Sequence, residues 1–129
     1  MFTIAQIKEA HSRVKSGADF PAYIQDLIAL GMQGYDTFVN DGHVEYFGAD
    51  NFRAAATDTY KSITVAPFAN KERFIEFLVM HQDGQTDYLT FCNHAAQCGI
   101  ARWRVNIIEM TCIYLDLPNA EILIEKIPS

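Results

Sequence analysis

Gly31–Gly48, GMQGYDTFVNDGHVEYFG, reads as a helix stop running into a tight β-hairpin. Sixty-eight residues later the chain gives GIARWRVNIIEMTCIYLD, Gly99–Asp116. Gly31 falls on Gly99, Tyr35 on Trp103, Val39 on Ile107 and Tyr46 on Tyr114. The fold is therefore built twice. Asp41-Gly42 carries a type I′ turn signal, which predicts a two-residue loop with Val39 opposite Val44 and Thr37 opposite Tyr46. The Tyr35/Thr37/Val39 side is the expected core face, with Asp36 and Phe38 on the other.

Working outward, Thr3–Lys15 spaces Ile4, Ile7, His11 and Val14 three or four apart, as one face of a helix. Thr3 with Gln6 fits a capping box, and Ser16-Gly17 supplies a stop. Asp19 caps a second helix with Pro21 in its first turn and Gly31 as its end. Asn70 opens a third helix ending at Gly84. Thr86 or Asp87 opens a fourth, with Tyr88, Leu89, Cys92, Ala95 and Ala96 expected inward and Gly99 as the stop. Trp103, Val105 and Ile107 alternate with polar neighbours, a half-buried strand. A Glu109-Met110 loop would set Trp103 opposite Asp116. Ala49–Asp58 reads as loop or one helical turn, and Tyr60, Ile63 and Val65 as a third strand closed by Pro67. Ile122–Ile127 is apolar at both parities, which predicts a central strand.

Each half thus reads helix, helix, strand, strand, strand. The expectation is one α+β domain over 1–129, with internal repeats at about 3–66 and 70–127. Two such halves pair about a pseudo-twofold, forming six antiparallel strands, or two three-stranded sheets in contact, covered by helices.

Composition narrows the class of protein. Half of the 129 residues are hydrophobic and 12% are aromatic, which sets disorder aside. No apolar run is long enough to span a bilayer, and MFTIAQIKEAHSR lacks the shape of a secretory signal. An odd count of 3 cysteines argues against a disulfide scaffold and for a reduced, cytoplasmic setting. With 10 basic against 16 acidic residues the chain carries −6, and its basic residues form no run, so nucleic acid is not the expected partner.

Laid out as a repeat, the chain resembles a bacterial family of short proteins of unknown function, some labelled "phage envelope protein". The resemblance is carried by IKEAHSRVKSGADFPAYIQDL, GYDTFVNDGHVEYFG, TDYLTFCNHAA, GIARWRVNI and MTCIYLD. It covers nearly the whole chain and implies one compact domain. It implies no active-site residue and no cofactor. Asn106 stands where that family usually has an aspartate, so no carboxylate role transfers there.

Candidate chemistry is sparse. His94 and Cys98 share a helical face, but zinc or a nucleophile needs further ligands or an orienting base, and no metal or cofactor is expected. His43 and Glu45 flank the first turn as an acid/base candidate, with solvation beside the turn as the simpler reading. His11 and His81 read as core histidines. Tyr35, Tyr46, Trp103 and Tyr114 would meet on equivalent sheet positions, as a ring-lined ligand site or as plain core. Asp36 and Arg104, repeat mates of opposite charge, are candidates to pair across the pseudo-twofold or across a true dimer interface, with two solvated charges as the simpler reading. Together these favour a non-catalytic binding or interaction module for a small molecule or protein, with a homodimer allowed. The alternative is a small enzyme acting on a metabolite with histidine as acid/base.

Overall fold

The structure is a computed structural model describing residues 2–14, 19–56 and 60–127. Two helices, α1 (Ile4–His11) and α2 (Phe20–Ala29), lead into strands β1 (Met32–Phe38), β2 (Val44–Gly48) and β3 (Arg53–Ala56). Helices α3 (Lys71–Gln82) and α4 (Tyr88–Gln97) then lead into β4 (Arg102–Asn106), β5 (Thr111–Leu115) and β6 (Glu121–Lys126). The six strands form one antiparallel sheet in the order β3-β2-β1-β4-β5-β6. The two halves therefore join strand to strand, β1 against β4.

Local chemistry explains the elements. Thr3 and Gln6 close a capping box on α1, each side chain meeting the other's backbone N–H. Asn70 and Asp87 cap α3 and α4 through the N–H groups of Arg73 and Thr90. Asp19 sits at the N-cap of α2 without a side-chain cap bond, and Pro21 occupies the first turn. Gly31 and Gly99 end their helices at φ +86° and +77°, where a Cβ would be strained. The Ser16-Gly17 stop lies outside the described residues.

The register reveals the symmetry. Asp36 pairs with Arg104, its own repeat mate, while Tyr35 pairs with Val105 and Thr37 with Trp103. Advancing each residue by one repeat exchanges the last two pairs and returns the first to itself. The pseudo-twofold thus passes through Asp36 and Arg104.

Both hairpins differ from the two-residue reading. Thr37 pairs with Val44 and Trp103 with Tyr114, leaving four-residue turns at 39–42 and 107–110. A type I′ turn needs positive φ at both central residues. Here only Gly42 and its repeat mate Met110 adopt it, at +79° and +55°. The shift is two residues in each hairpin, and an even shift leaves every side chain on its expected face. Asp36 therefore faces Glu45, and Trp103 faces Tyr114 rather than Asp116.

The third strand of the first half is Arg53–Ala56, not the run through Tyr60, Ile63 and Val65. That run crosses the end of the sheet instead. The N–H groups of Tyr60 and Ile63 bond to the carbonyls of Asp41 and Asn40, at 3.1 and 2.7 Å. β6 is an edge strand rather than a central one, with Ile124 54% exposed, because the repeat pairing places its mate β3 at the opposite edge.

One sheet face carries the helices. Tyr35, Thr37, Val39, Tyr46, Trp103 and Val105 are all buried there. Trp103 packs on Phe91 (5.5 Å between centroids) and Tyr114 (6.1 Å), and Tyr114 meets Phe74 at 4.9 Å. On α4 Cys92, Ala95 and Ala96 face inward as expected and Phe91 joins them, while Tyr88 and Leu89 are half exposed. The other sheet face bears Asp36, Phe38, Glu45, Phe47, Arg102 and Arg104.

Candidate functional site

The turn at 39–42 positions the first wall of a groove. Gly42 lies against the Tyr60 ring, and a Cβ there would meet that ring at 2.6 Å, so glycine is required for the approach as well as for its φ. The Tyr60 hydroxyl donates to the Val39 carbonyl. Together with the two backbone bonds from Tyr60 and Ile63, this pins the segment around 60–65 along the sheet end.

The turn after β5 forms the opposite wall. Asp116 Oδ1 accepts the Ala120 N–H at 2.7 Å, and the Asn119 N–H closes on the Asp116 carbonyl at 3.0 Å. Asn119 adopts φ +69°, a conformation that asparagine tolerates better than most residues. Its Oδ1 accepts from Arg102 Nε and Nη2, at 3.3 and 3.2 Å.

Between these walls lies an open groove of about 460 Å3. Phe38, Ile63, Val65 and Leu117 supply apolar lining; Arg102, Asp116 and Asn119 supply polar groups. Arg102 also donates from Nη1 to Asp36 Oδ2 at 3.1 Å. Arg104 grips Asp36 more closely, Nε to Oδ1 at 2.7 Å and Nη2 to Oδ2 at 2.8 Å, and this bond holds its guanidinium above the usual arginine range. The expected Asp36–Arg104 pairing is thus present, inside one chain.

His43 stacks on the Phe38 ring at 4.2 Å, nearly parallel. Its Nδ1 lies 2.6 Å from Asp41 Oδ1 and its Nε2 3.0 Å from Glu45 Oε2. Burial pulls its pKa down, but the two carboxylates outweigh it and raise it above the ordinary value. His43 and Glu45 are therefore in hydrogen-bond contact on the open sheet face rather than simply solvated.

The four rings singled out from sequence occupy the core. Tyr35, Tyr46, Trp103 and Tyr114 are 7, 8, 8 and 6% exposed. They belong to a wider set of phenols and thiols at the seam between the helix pairs. The Tyr23 and Tyr46 hydroxyls lie close enough to influence each other, as do the Tyr60 and Tyr88 hydroxyls and the Cys92 thiol. Burial pushes Tyr46 and Cys112 up to about 12, and raises the Cys92 thiol against those two hydroxyls. Neutral phenols and thiols are the stable forms there.

His94 stacks on Phe77 at 3.8 Å, and its buried Nδ1 has no hydrogen-bond partner. Cys98 is buried at the α4 C-cap, its thiol raised by desolvation. Among the described residues no three His, Cys, Asp or Glu side chains converge to hold a metal. His81 is half-buried against Phe91 with Nδ1 near the Thr86 carbonyl, whereas His11 is exposed on α1, edge-on to Tyr23. No helix among the described residues is long and apolar enough to cross a membrane.

Sequence reasoning missed Arg102, Asp116 and Asn119. Nothing local marks Arg102, and its partners lie 66 and 17 residues away. Pro118 and Asn119 are turn-forming residue types, but that local signal does not say what the Asn119 amide holds.

A family model matches residues 8–126, a span that includes every groove residue named above. The chain belongs to DUF1398, a family described as protein of unknown function. No match was found among curated proteins. In this DUF1398 chain Asn106 caps the second hairpin turn by accepting the Glu109 N–H at 3.0 Å, a task that needs no charge.

Proposed function

We propose that the protein is a non-catalytic binding module that takes a small molecule in the groove between its halves. The observation that carries this reading is the groove itself. Phe38, Ile63 and Val65 come from one half, Arg102, Leu117 and Asn119 from the other, and the volume suits a small ligand. The enzyme alternative is less well supported. An acid/base histidine needs a nitrogen free for substrate, and both nitrogens of His43 face carboxylates. An activated thiolate needs a lowered pKa, and burial raises those of Cys92 and Cys112.

Amide chemical-shift mapping with a fragment set tests the proposal. Shifts clustered at Ile63, Val65, Ala101 and Leu117, with the fragment recovered unchanged, are expected. Shifts confined elsewhere, or conversion of the fragment, would overturn it. A second reading places the ligand at Tyr35, Tyr46, Trp103 and Tyr114, favoured by the phenol and thiol groups converging on Cys92. It requires the helices over the seam to part, so a ligand there would change Trp103 emission, whereas a groove ligand would leave it unaltered.

A further inference from the structure

We infer that the groove takes a small amphipathic monocarboxylate, with Arg102 recognising its anionic head; this rests on the binding reading above. Asp36 serves two guanidiniums at once. Arg104 occupies both of its oxygens with short bonds, at 2.7 and 2.8 Å. Arg102 has one longer bond to it, at 3.1 Å, and spends Nε and Nη2 on the neutral Asn119 oxygen. One carboxylate against two guanidiniums leaves a positive charge in this trio. The geometry leaves that charge mainly with Arg102, the partner held less closely.

Arg102 is well placed to use it. Its side chain is 21% exposed, so water screens it only in part. A guanidinium has five N–H donors, and the contacts to Asp36 and Asn119 engage one on each nitrogen. One donor remains on each terminal nitrogen, the number that the two oxygens of a carboxylate accept. Phe38, Ile63, Val65 and Leu117 line the same groove and suit an apolar body.

Asp116 limits the charge of the ligand. Its Oδ1 is occupied by the Ala120 N–H, yet its negative charge stays on the groove wall. A second anionic charge on the ligand would meet it, and the chain as a whole carries −6. A monoanion with an apolar body satisfies Arg102 and the apolar wall without that repulsion. Phosphate, which carries up to two charges near neutral pH and has no apolar body, does not.

The test is a titration of the full chain with hexanoate, hexanamide, hexylamine and inorganic phosphate, read by amide shifts and calorimetry. Hexanoate is expected to shift Ile63, Arg102 and Leu117 and to bind about tenfold more tightly than hexanamide, as a charge-assisted bond implies. Hexylamine and phosphate are expected to leave these amides unmoved. Arg102→Gln should abolish the preference for hexanoate over hexanamide, and Arg102→Lys should restore part of it, with thermal unfolding showing all three proteins folded. Equal binding of hexanamide and hexanoate, or tighter binding of hexylamine or phosphate, overturns the carboxylate assignment but leaves the groove reading standing. Absence of any groove shift with all four probes also overturns it, and the fragment mapping then decides the broader reading separately.

Discussion

The two ends of the central strand pair are related by the pseudo-twofold and share a backbone plan, yet among the described residues the groove of Phe38 and Arg102 lies at one of them. At one end the Val39 N–H bonds to the Ala101 carbonyl at 2.9 Å; at the other the Ile107 N–H bonds to the Gln33 carbonyl at 3.0 Å. These are the same bond, one repeat apart. The side chains differ. Where one end has Phe38 and Arg102, the other has Asn106 and Gly34. A Cβ at Gly34 would come within 2.7 Å of the Phe47 ring and 2.6 Å of the Val105 carbonyl. One end thus holds an arginine beside an open groove, and the other is closed by an aromatic ring over a glycine. Repetition preserved the scaffold, and substitution on the scaffold left the arginine and the groove at one end.

The largest expected effect probes what the halves share. Trp103 and its mate Tyr35 are both buried on the helix-covered face. Trp103→Ala should cost about 3–5 kcal/mol in urea unfolding, and Tyr35→Ala a cost of similar scale. Trp103 emission should be blue-shifted and resistant to acrylamide. A cost near zero at one of the two would mean that the halves share topology without sharing a core.

Next comes the axis itself. Asp36→Asn should cost about 2–3 kcal/mol, less than a fully buried pair because Arg104 is 44% exposed. Arg104→Gln should cost less. The double variant should recover part of the Asp36→Asn loss, since no unmatched Arg104 guanidinium is then left. Strict additivity would show that the pair is not coupled.

The contrast between the two ends is sharpened by Gly34→Ala, expected to cost about 1–3 kcal/mol by overpacking. Its repeat mate should behave differently. Arg102→Ala should cost only about 0–1 kcal/mol of stability, as partly exposed ion pairs do, while removing the proposed anion recognition. Equal costs would erase the distinction drawn here.

The smallest effect is one of sign. His43 has a raised folded pKa, so its contribution is fully present below the unfolded value near 6.5 and is lost as pH rises through the folded value. His81 is lowered, chiefly by burial, so its contribution is present above the unfolded value and is lost as pH falls through the folded one. His43→Gln should therefore leave a stability that rises with pH below the unfolded histidine value near 6.5, and His81→Gln one that falls with pH above it. Matching slopes in the two variants would contradict these assignments.

Much of the fold was legible because its signals are local. Caps, glycine stops and alternation act over three or four residues, and the repeat supplied each pattern twice. The third strand shows where reading went astray. Tyr60, Ile63 and Val65 mimic strand alternation, but the repeat offset applied to Ile122 points to Ala54, and β3 lies there. The repeat was the better guide, since alanines carry little apolar pattern. The first hairpin register slipped by two because an Asp-Gly pair specifies only a preference in turn geometry. Even slips conserve sidedness, so the assignment of the Tyr35 and Asp36 faces survived.

By itself, then, the sequence determined the order of elements, the doubling, and which face of each strand meets the helices, since these follow from local backbone chemistry and hydrophobic period. Tertiary structure alone decided that β1 meets β4, that Asp36 lies on the axis with two arginines, and that Arg102 stands beside a groove. Those facts depend on contacts between residues up to 74 positions apart, as from Ile107 to Gln33. No local propensity encodes such a meeting; it arises only when both halves bury their apolar faces and the sheet closes between them.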